Sequence, residues 1–467
     1  IYSGIYNSNS STNNLNQFIA AEKITKDINP IHGSIQKLHA RDTDLITLCE
    51  DKCLRIMADK DAVFNADGNP QLTANNNVLG QTFAFSGEFG ISKNPESFAS
   101  ESYRVYFTDK VRGAVMRLSK DGLTPISMFG MKDWFKDNLK LSTKLIGSYD
   151  DNKDEYNITL ADRKTLGEEL IVNGNFETDY TEWFGSKTHW SWDSVNENLF
   201  SDGTTSARIG QDLSSSIALG KTYQISYTVG EPQDGSSLDG RLWITIHDEN
   251  ANYKSLANTT SKLTTTGTYT KTITVDSSWV PWSWATLSNH PNSIHFHNKS
   301  HGSGDFNGTI DNISVKEIIS DPITVSFKED VKGWVSFKSF VLESGVSTAN
   351  NYYTMFSGKL YKHYTESVNR NNFYGVDYNS SVNVILNDAP GSVKSFHTLA
   401  YEGSQSKIDE NLQDNDYYNL ISKDGWFVSS IETDKQVGSL NEFIKKEGKW
   451  FNYIKGVDSD ITSETDF

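Results

Sequence analysis

The sequence predicts an all-β protein: a β-propeller-like body of antiparallel hairpins or blades, interrupted by an inserted β-sandwich module of jelly-roll type. Three observations point there. Short runs with an apolar residue at every second position recur along nearly the whole chain, separated by turns rich in Asp, Lys, Asn and Gly. That is the period of a strand with one buried face. Aromatic residues are abundant, with 24 Phe, 21 Tyr and 11 Trp, and such side chains suit a pleated, half-buried surface. Only MKDWFKDNL (131–139) sets apolar residues, Met131, Trp134, Phe135 and Leu139, at helical spacing.

From about residue 33 to residue 160 an alternating run meets a turn and a second run returns. In YRVYFTDKVRGAVMRLSKDGLTPIS (103–127), Tyr103, Val105 and Phe107 alternate, Asp109 to Gly113 turn the chain, and Ala114 to Leu118 return before Asp121-Gly122. These are hairpin signals. Weaker copies are LITLCEDKCLRIMADKDAVF (45–64), LIGSYDDNKDEYNITL (145–160), ITVSFKEDVKGWVSFKSF (323–340) and YYTMFSGKLYKHY (352–364). The two cysteines, Cys49 and Cys53, flank one such turn. Two reduced, packed thiols are expected there, since no second Cys or His pair stands at zinc spacing.

Between residues 160 and 318 the composition changes, with more Thr, Ser, Asn and Trp and fewer basic hairpins. Strands such as KTYQISYTVG, GRLWITIHDEN and YTKTITVDS follow one another. About 150 residues of this pattern fit a two-sheet jelly roll whose first and last strands are neighbours, a geometry that permits insertion into a loop. Segments 1–165 and 320–467 are therefore expected to form one discontinuous body, with 166–319 as the inserted module.

The chain carries 43 Lys plus Arg against 60 Asp plus Glu, a net charge of −17. It gathers no basic cluster, which argues against a nucleic-acid or anionic-membrane partner. No run approaches 18 apolar residues, so no membrane span is expected. The start at Ile1 without Met reads as a processed or excised piece. No nucleophile elbow, phosphate loop or zinc-protease helix occurs, and the expectation is that the protein is not an enzyme.

Dense tryptophans suggest a stacking surface for sugar rings. The candidate glycan-binding residues are Trp183, Trp190 and Trp192, and Trp279, Trp282 and Trp284 in WVPWSW. Trp190/Trp192 and Trp282/Trp284 alternate by two, so each pair projects from one strand face; the competing reading is that this face is core. His295 and His297 in SIHFHNKSH also share a face, as surface or sugar-contacting histidines rather than metal ligands, because no Cys or carboxylate motif accompanies them.

Two resemblances add to this. On LIVNGNFE (170–177) and IDNISV (310–315), the insert resembles jelly-roll carbohydrate-binding modules. The resemblance implies a structural Ca²⁺ held by Glu177 and Asp311 with backbone carbonyls, oxygen donors suited to a hard cation. The outer segments, through AEKITKDINPIHGSIQKL (21–38), GEFGISKNPESFA (87–99), NDAPGSVKSFHTLAYEGSQ (387–405) and KEGKWFNYIKG (446–456), resemble virion structural proteins of tailed bacteriophages, of the marine and cyanobacterial type. This implies a structural tail component (hub, nozzle or adaptor region), assembled in the host cytoplasm. Its partners would be other tail proteins and copies of itself, and the outward module would engage bacterial surface polysaccharide for host attachment. Two rivals are a purely structural or decorating insert, and a lectin-like or glycan-degrading cell-surface fragment.

Overall fold

The fold is described from a computed structural model. It describes residues 1–456 apart from 5, 22–23, 42–43, 65–69, 204–206, 234, 239, 251, 257–262, 282–289, 299–305, 404, 408–422, 434–436 and 441. The protein is all β, with one short α-helix, Lys132–Asn138, among the described residues. It divides into two compact units, Ile1–Ser380 and Ser381–Phe467.

The body part of the larger unit is a series of antiparallel meanders, because each hairpin signal in the sequence joins two strands that pair with each other. The first sheet runs Ile35–Arg41, Asp44–Cys49, Cys53–Phe64 and Pro70–Ala84 in chain order; the second runs Ala99–Ser100, Val105–Asp109, Ala114–Ser119 and Gly122–Pro125. The third joins Leu145–Asp150 and Glu155–Leu160 to Ile323–Lys328 and Gly333–Lys338. Its central pairing sets Glu155 opposite Lys328 and Leu160 opposite Ile323, across the whole inserted segment. The fourth consists of Ser344–Thr348, Asn351–Phe356 and Lys359–Lys362.

Strand alternation stacks these sheets face to face. In the second sheet Val105, Phe107, Met116 and Leu118 pack with Ile46, Leu48 and Cys53 of the first. Tyr106 and Val115, on the opposite face, pack with Tyr149, Tyr156, Ile158 and Val325 of the third. Ile146 of the third sheet in turn packs with Tyr352 of the fourth. Val105–Asp109 and Glu155–Leu160 are accordingly buried at every position, as expected of strands covered on both sides. Gly147 lies so close to the second sheet's approach that a Cβ would stand 2.0 Å from the Ser97 carbonyl oxygen. Cys49 and Cys53 are free buried thiols, and burial pushes the Cys53 thiol well up.

The module packs two six-stranded sheets around a core that includes Trp183, Trp190, Tyr223, Ile225, Ile244, Phe296 and Val315. One sheet holds Trp190–Asp193, Asn198–Ser201, Thr309–Ser320, Thr222–Gly230 and Gly267–Thr274, with Lys164–Glu169 also on Thr309–Ser320. The other holds Phe184–Gly185, Arg208–Asp212, Ser293–His297, Trp243–His247, Asn252–Ser255 and Val280–Pro281. Lys164 pairs with Ser320 and Glu169 with Lys316. The chain thus enters and leaves side by side, and Asp321 N–H donates to the Arg163 carbonyl at 2.9 Å.

The smaller unit contains two three-stranded sheets. One orders Thr398–Tyr401, Lys449–Tyr453 and Ile444–Lys446; the other orders Val428–Glu432, Val437–Leu440 and Lys455–Gly456. Its described core is small, built on Leu440, Phe443 and Trp450.

Candidate functional site

A gathering of polar and aromatic side chains lies on one face of the module's second sheet. Period-two alternation builds it. In Ser293–His297 the apolar Ile294 and Phe296 turn into the core, which sends Ser293, His295 and His297 to the other face. In Trp243–His247 the core takes Ile244 and Ile246, leaving Trp243, Thr245 and His247 outward. Register then aligns the two strands with a third: His297 lies between Arg208 and Trp243, and His295 between Gly210 and Thr245.

The resulting cluster is tight. Ring centroids of His247 and His295 are 4.5 Å apart, those of His295 and His297 6.0 Å, and those of Trp243 and His297 4.7 Å. Thr245 Oγ1 lies 3.2 Å from His247 Nε2 and 3.5 Å from His297 Nε2. At the edge Phe184 stacks on His290, with centroids 3.6 Å apart. Gly210 makes room for Phe184, since a Cβ there would stand 2.9 Å from its ring.

All three central imidazoles are buried. Burial, reinforced by the Arg208 charge, pushes His247 down to about 4 and His297 down to about 3. His295 is held well below the usual imidazole range, by burial first and then by the unfavourable charge interactions it would have with His247, His297 and Arg208 if protonated. These three imidazoles are therefore neutral at pH 7. Ser293 Oγ donates to the His290 carbonyl at 2.6 Å, so its single proton is spent. The 2.8 Å contact between Ser293 Oγ and His295 Nε2 must then be donated by the imidazole. His295 Nδ1 is left as a buried acceptor without a hydrogen-bond partner, and Arg208 Nη1 is a buried donor in the same position.

The tryptophan candidates sit elsewhere. Trp183, Trp190 and Trp279 are core residues, which corrects the expectation of an exposed platform for those three. Trp183 packs on Phe176 and Phe296, and Trp190 on Phe306. Trp279 Nε1 donates to the Thr274 carbonyl at 3.1 Å. Trp192 is half-buried against the same core and donates to the Phe176 carbonyl at 2.9 Å. Trp190 and Trp192 do share a strand face, and it is the inward one. Trp282 and Trp284 lie outside the described residues.

Glu177 is exposed beside Phe176. Asp311 is half-buried, and both its carboxylate oxygens accept from Asn312, at 2.6 and 2.7 Å. Burial raises its pKa, and the acid that adds to this is Glu197. Among the described residues no group of three or more His, Cys, Asp and Glu is assembled to hold a metal. Carboxylate ligation at Asp311 would have to compete with Asn312, so the pair is not preassembled as a cage.

His295 and His297 were legible in the sequence as a shared face. Arg208, Trp243, Thr245 and His247 were not singled out, although the alternation in LWITIH (242–247) separates their face from Ile244 and Ile246. What the sequence lacked was the strand order that brings them to His295.

Solved structures similar to this chain include a mutant carbohydrate binding module of family 29, at 12% identity and a TM-score of 0.22, covering 33% of this chain and 92% of that one. They also include the CBM22-1 xylan-binding domain from Paenibacillus barcinonensis, at 10% identity and a TM-score of 0.22, covering 33% and 97%. A third is the N-terminal cellulose-binding domain of a β-1,4-glucanase from Cellulomonas fimi, at 13% identity and a TM-score of 0.22, covering 33% and 98%. No curated protein matches the chain. Residues 368–456 match the family model of the Crassvirus muzzle protein C-terminal domain, a phage virion protein domain.

Proposed function

We propose that this chain is a structural component of a bacteriophage tail, in contact with other virion proteins. The match of residues 368–456 to a muzzle protein domain carries this reading. The stacked meanders support it, because both-sided burial of their central strands makes a stiff body from which a module can project. Mass spectrometry of purified particles, with immunogold labelling of this chain, tests it. The chain is expected in the particle with label at the tail; its absence from particles overturns the proposal.

A second reading concerns the inserted module, for which we propose binding of a hydroxyl-rich ligand such as a surface polysaccharide. The observation favouring it is that a sheet face carrying Trp243 also carries an acceptor, His295 Nδ1, and a donor, Arg208 Nη1, that each lack a hydrogen-bond partner. A sugar hydroxyl donates and accepts at once, and an indole stacks on the ring's apolar face. Many copies in one particle would raise weak contacts to useful avidity. The test is an array of bacterial polysaccharides probed with the full chain and with Arg208→Ala. Specific binding weakened by the substitution supports the reading; no binding by the wild type refutes it.

A further inference from the structure

The smaller unit opens with a segment of strand-forming sequence that lies outside any strand or sheet. Residues 381–388 are SVNVILND, and from Tyr378 to Asn387 the chain carries no charge. Val382, Val384, Ile385 and Leu386 are 57–91% exposed, although such β-branched and aliphatic residues are those most favoured in strands. No residue of 381–388 has a backbone hydrogen bond to another described residue. Beyond it Val393 and Phe396 are exposed as well. An apolar, uncharged and unpaired run of this kind is what proteins ordinarily hide or break with charge.

The same unit also has a sheet that lacks a strand. Among the described residues, Thr398–Tyr401 stands at the end of its three-stranded sheet and pairs only with Lys449–Tyr453. Leu399 and Tyr401 face the small core of Leu440, Phe443 and Trp450, while Thr398 and Ala400 are exposed. A fourth strand on this edge would extend that core and satisfy a row of backbone groups at once. Every copy of the chain therefore carries both a strand to give and an edge to receive it.

We propose that residues 381–387 of one copy add as an edge strand to Thr398–Tyr401 of the next. Val382, Val384 and Leu386 share one strand face and would cover Leu399 and Tyr401. A second copy fits better than an unlike partner because donor and acceptor are both present in this one chain. The donor is also free of charge in a protein of net charge −17, so that like-charged copies meet where repulsion is least. Giving to one neighbour and receiving from the other is a head-to-tail contact, which closes into a ring when the rotation allows. The inference rests on the tail reading only for its setting in a symmetric particle.

Sedimentation of the full recombinant chain across a wide concentration range tests it, comparing the wild type with Val384→Lys/Leu386→Lys. Both positions are exposed, so the variant is expected to keep the wild-type melting temperature as a monomer. Assembly by the wild type, weakened by about 100-fold or more in the variant, supports the proposal. Wild type that stays monomeric, or a variant that assembles equally well, overturns it. Mixing an Ile385→Cys chain with an Ala400→Cys chain adds a direct readout, because both positions lie on the exposed face of the proposed sheet: an intermolecular disulfide is expected, and its absence under oxidation counts against this pairing. Arm variants that assemble like the wild type, in a chain still found in particles, would sink the strand exchange and leave the tail reading standing. Strand exchange by a chain absent from particles would do the reverse.

Discussion

Glu329 offers the sharpest test of whether the body is one structure on both sides of the insert. It follows the strand Ile323–Lys328, yet its carboxylate reaches back more than 200 residues. Oε1 accepts from the Tyr106 hydroxyl and Oε2 from Arg117 Nη1, both at 2.8 Å, with Arg104 Nε at 4.0 Å. The Glu329 side chain is 13% exposed and that of Arg117 19%, so solvent replaces these contacts poorly. A hydrogen bond to a charged group contributes about 1.5–3 kcal/mol, and removing one member of a buried pair costs about 3–5 kcal/mol. Partial exposure places Glu329→Ala near the lower bound, at about 3 kcal/mol. At about 1.4 kcal/mol per tenfold, amide exchange in Val105–Asp109 should quicken about 100-fold. Combining Glu329→Ala with Tyr106→Phe should show a coupling of about 1 kcal/mol, because both changes break one hydrogen bond. A loss below about 0.5 kcal/mol, the scale of an ordinary surface change, would refute the reasoning.

Three further outcomes follow from the module. The depressed His247 and His297 are neutral in the folded state, whereas unfolded imidazoles gain protons below about pH 6.5. Stability should thus be full above that pH and fall as pH drops towards 4; melting curves from pH 7 to 4.5 check this, and an unchanged slope in His247→Asn/His297→Asn would count against it. Trp183→Ala should cost about 3–5 kcal/mol as a cavity in the module core, read as loss of the module's unfolding transition; a wild-type melt would return Trp183 to the surface. If the Ca²⁺ that the resemblance implies is held by Glu177 and Asp311, millimolar Ca²⁺ raises the melting temperature and Glu177→Gln/Asp311→Asn abolishes the rise. No shift on adding Ca²⁺ or a chelator would end that expectation.

Much of the fold was legible because a strand's period is local. Val105 and Phe107 alternate in the sequence, and Asp109 to Gly113 mark where the chain returns, so hairpins follow from neighbouring residues alone. The opposite fate of Tyr106 was not legible. It serves a second core only because another sheet packs behind it. Likewise the cues at 170–177 and 310–315 did not tell that Glu169 would meet Lys316.

The candidate site divides along the same line. Alternation by two told which side chains share a face: Trp190 with Trp192, and His295 with His297. It could not tell which face the core would take, because an indole is at home in a core as well as on a ligand, and burial is decided by the opposing sheet. Tertiary structure turned Trp183, Trp190 and Trp279 inward. It also drew Arg208, Trp243, Thr245 and His247 from two distant strands to the histidines, a register set by non-local pairing that no local period encodes. By itself, the sequence determined an all-β chain with its strand faces and turns. Only packing, which weighs every face against every other, decided which faces join the core.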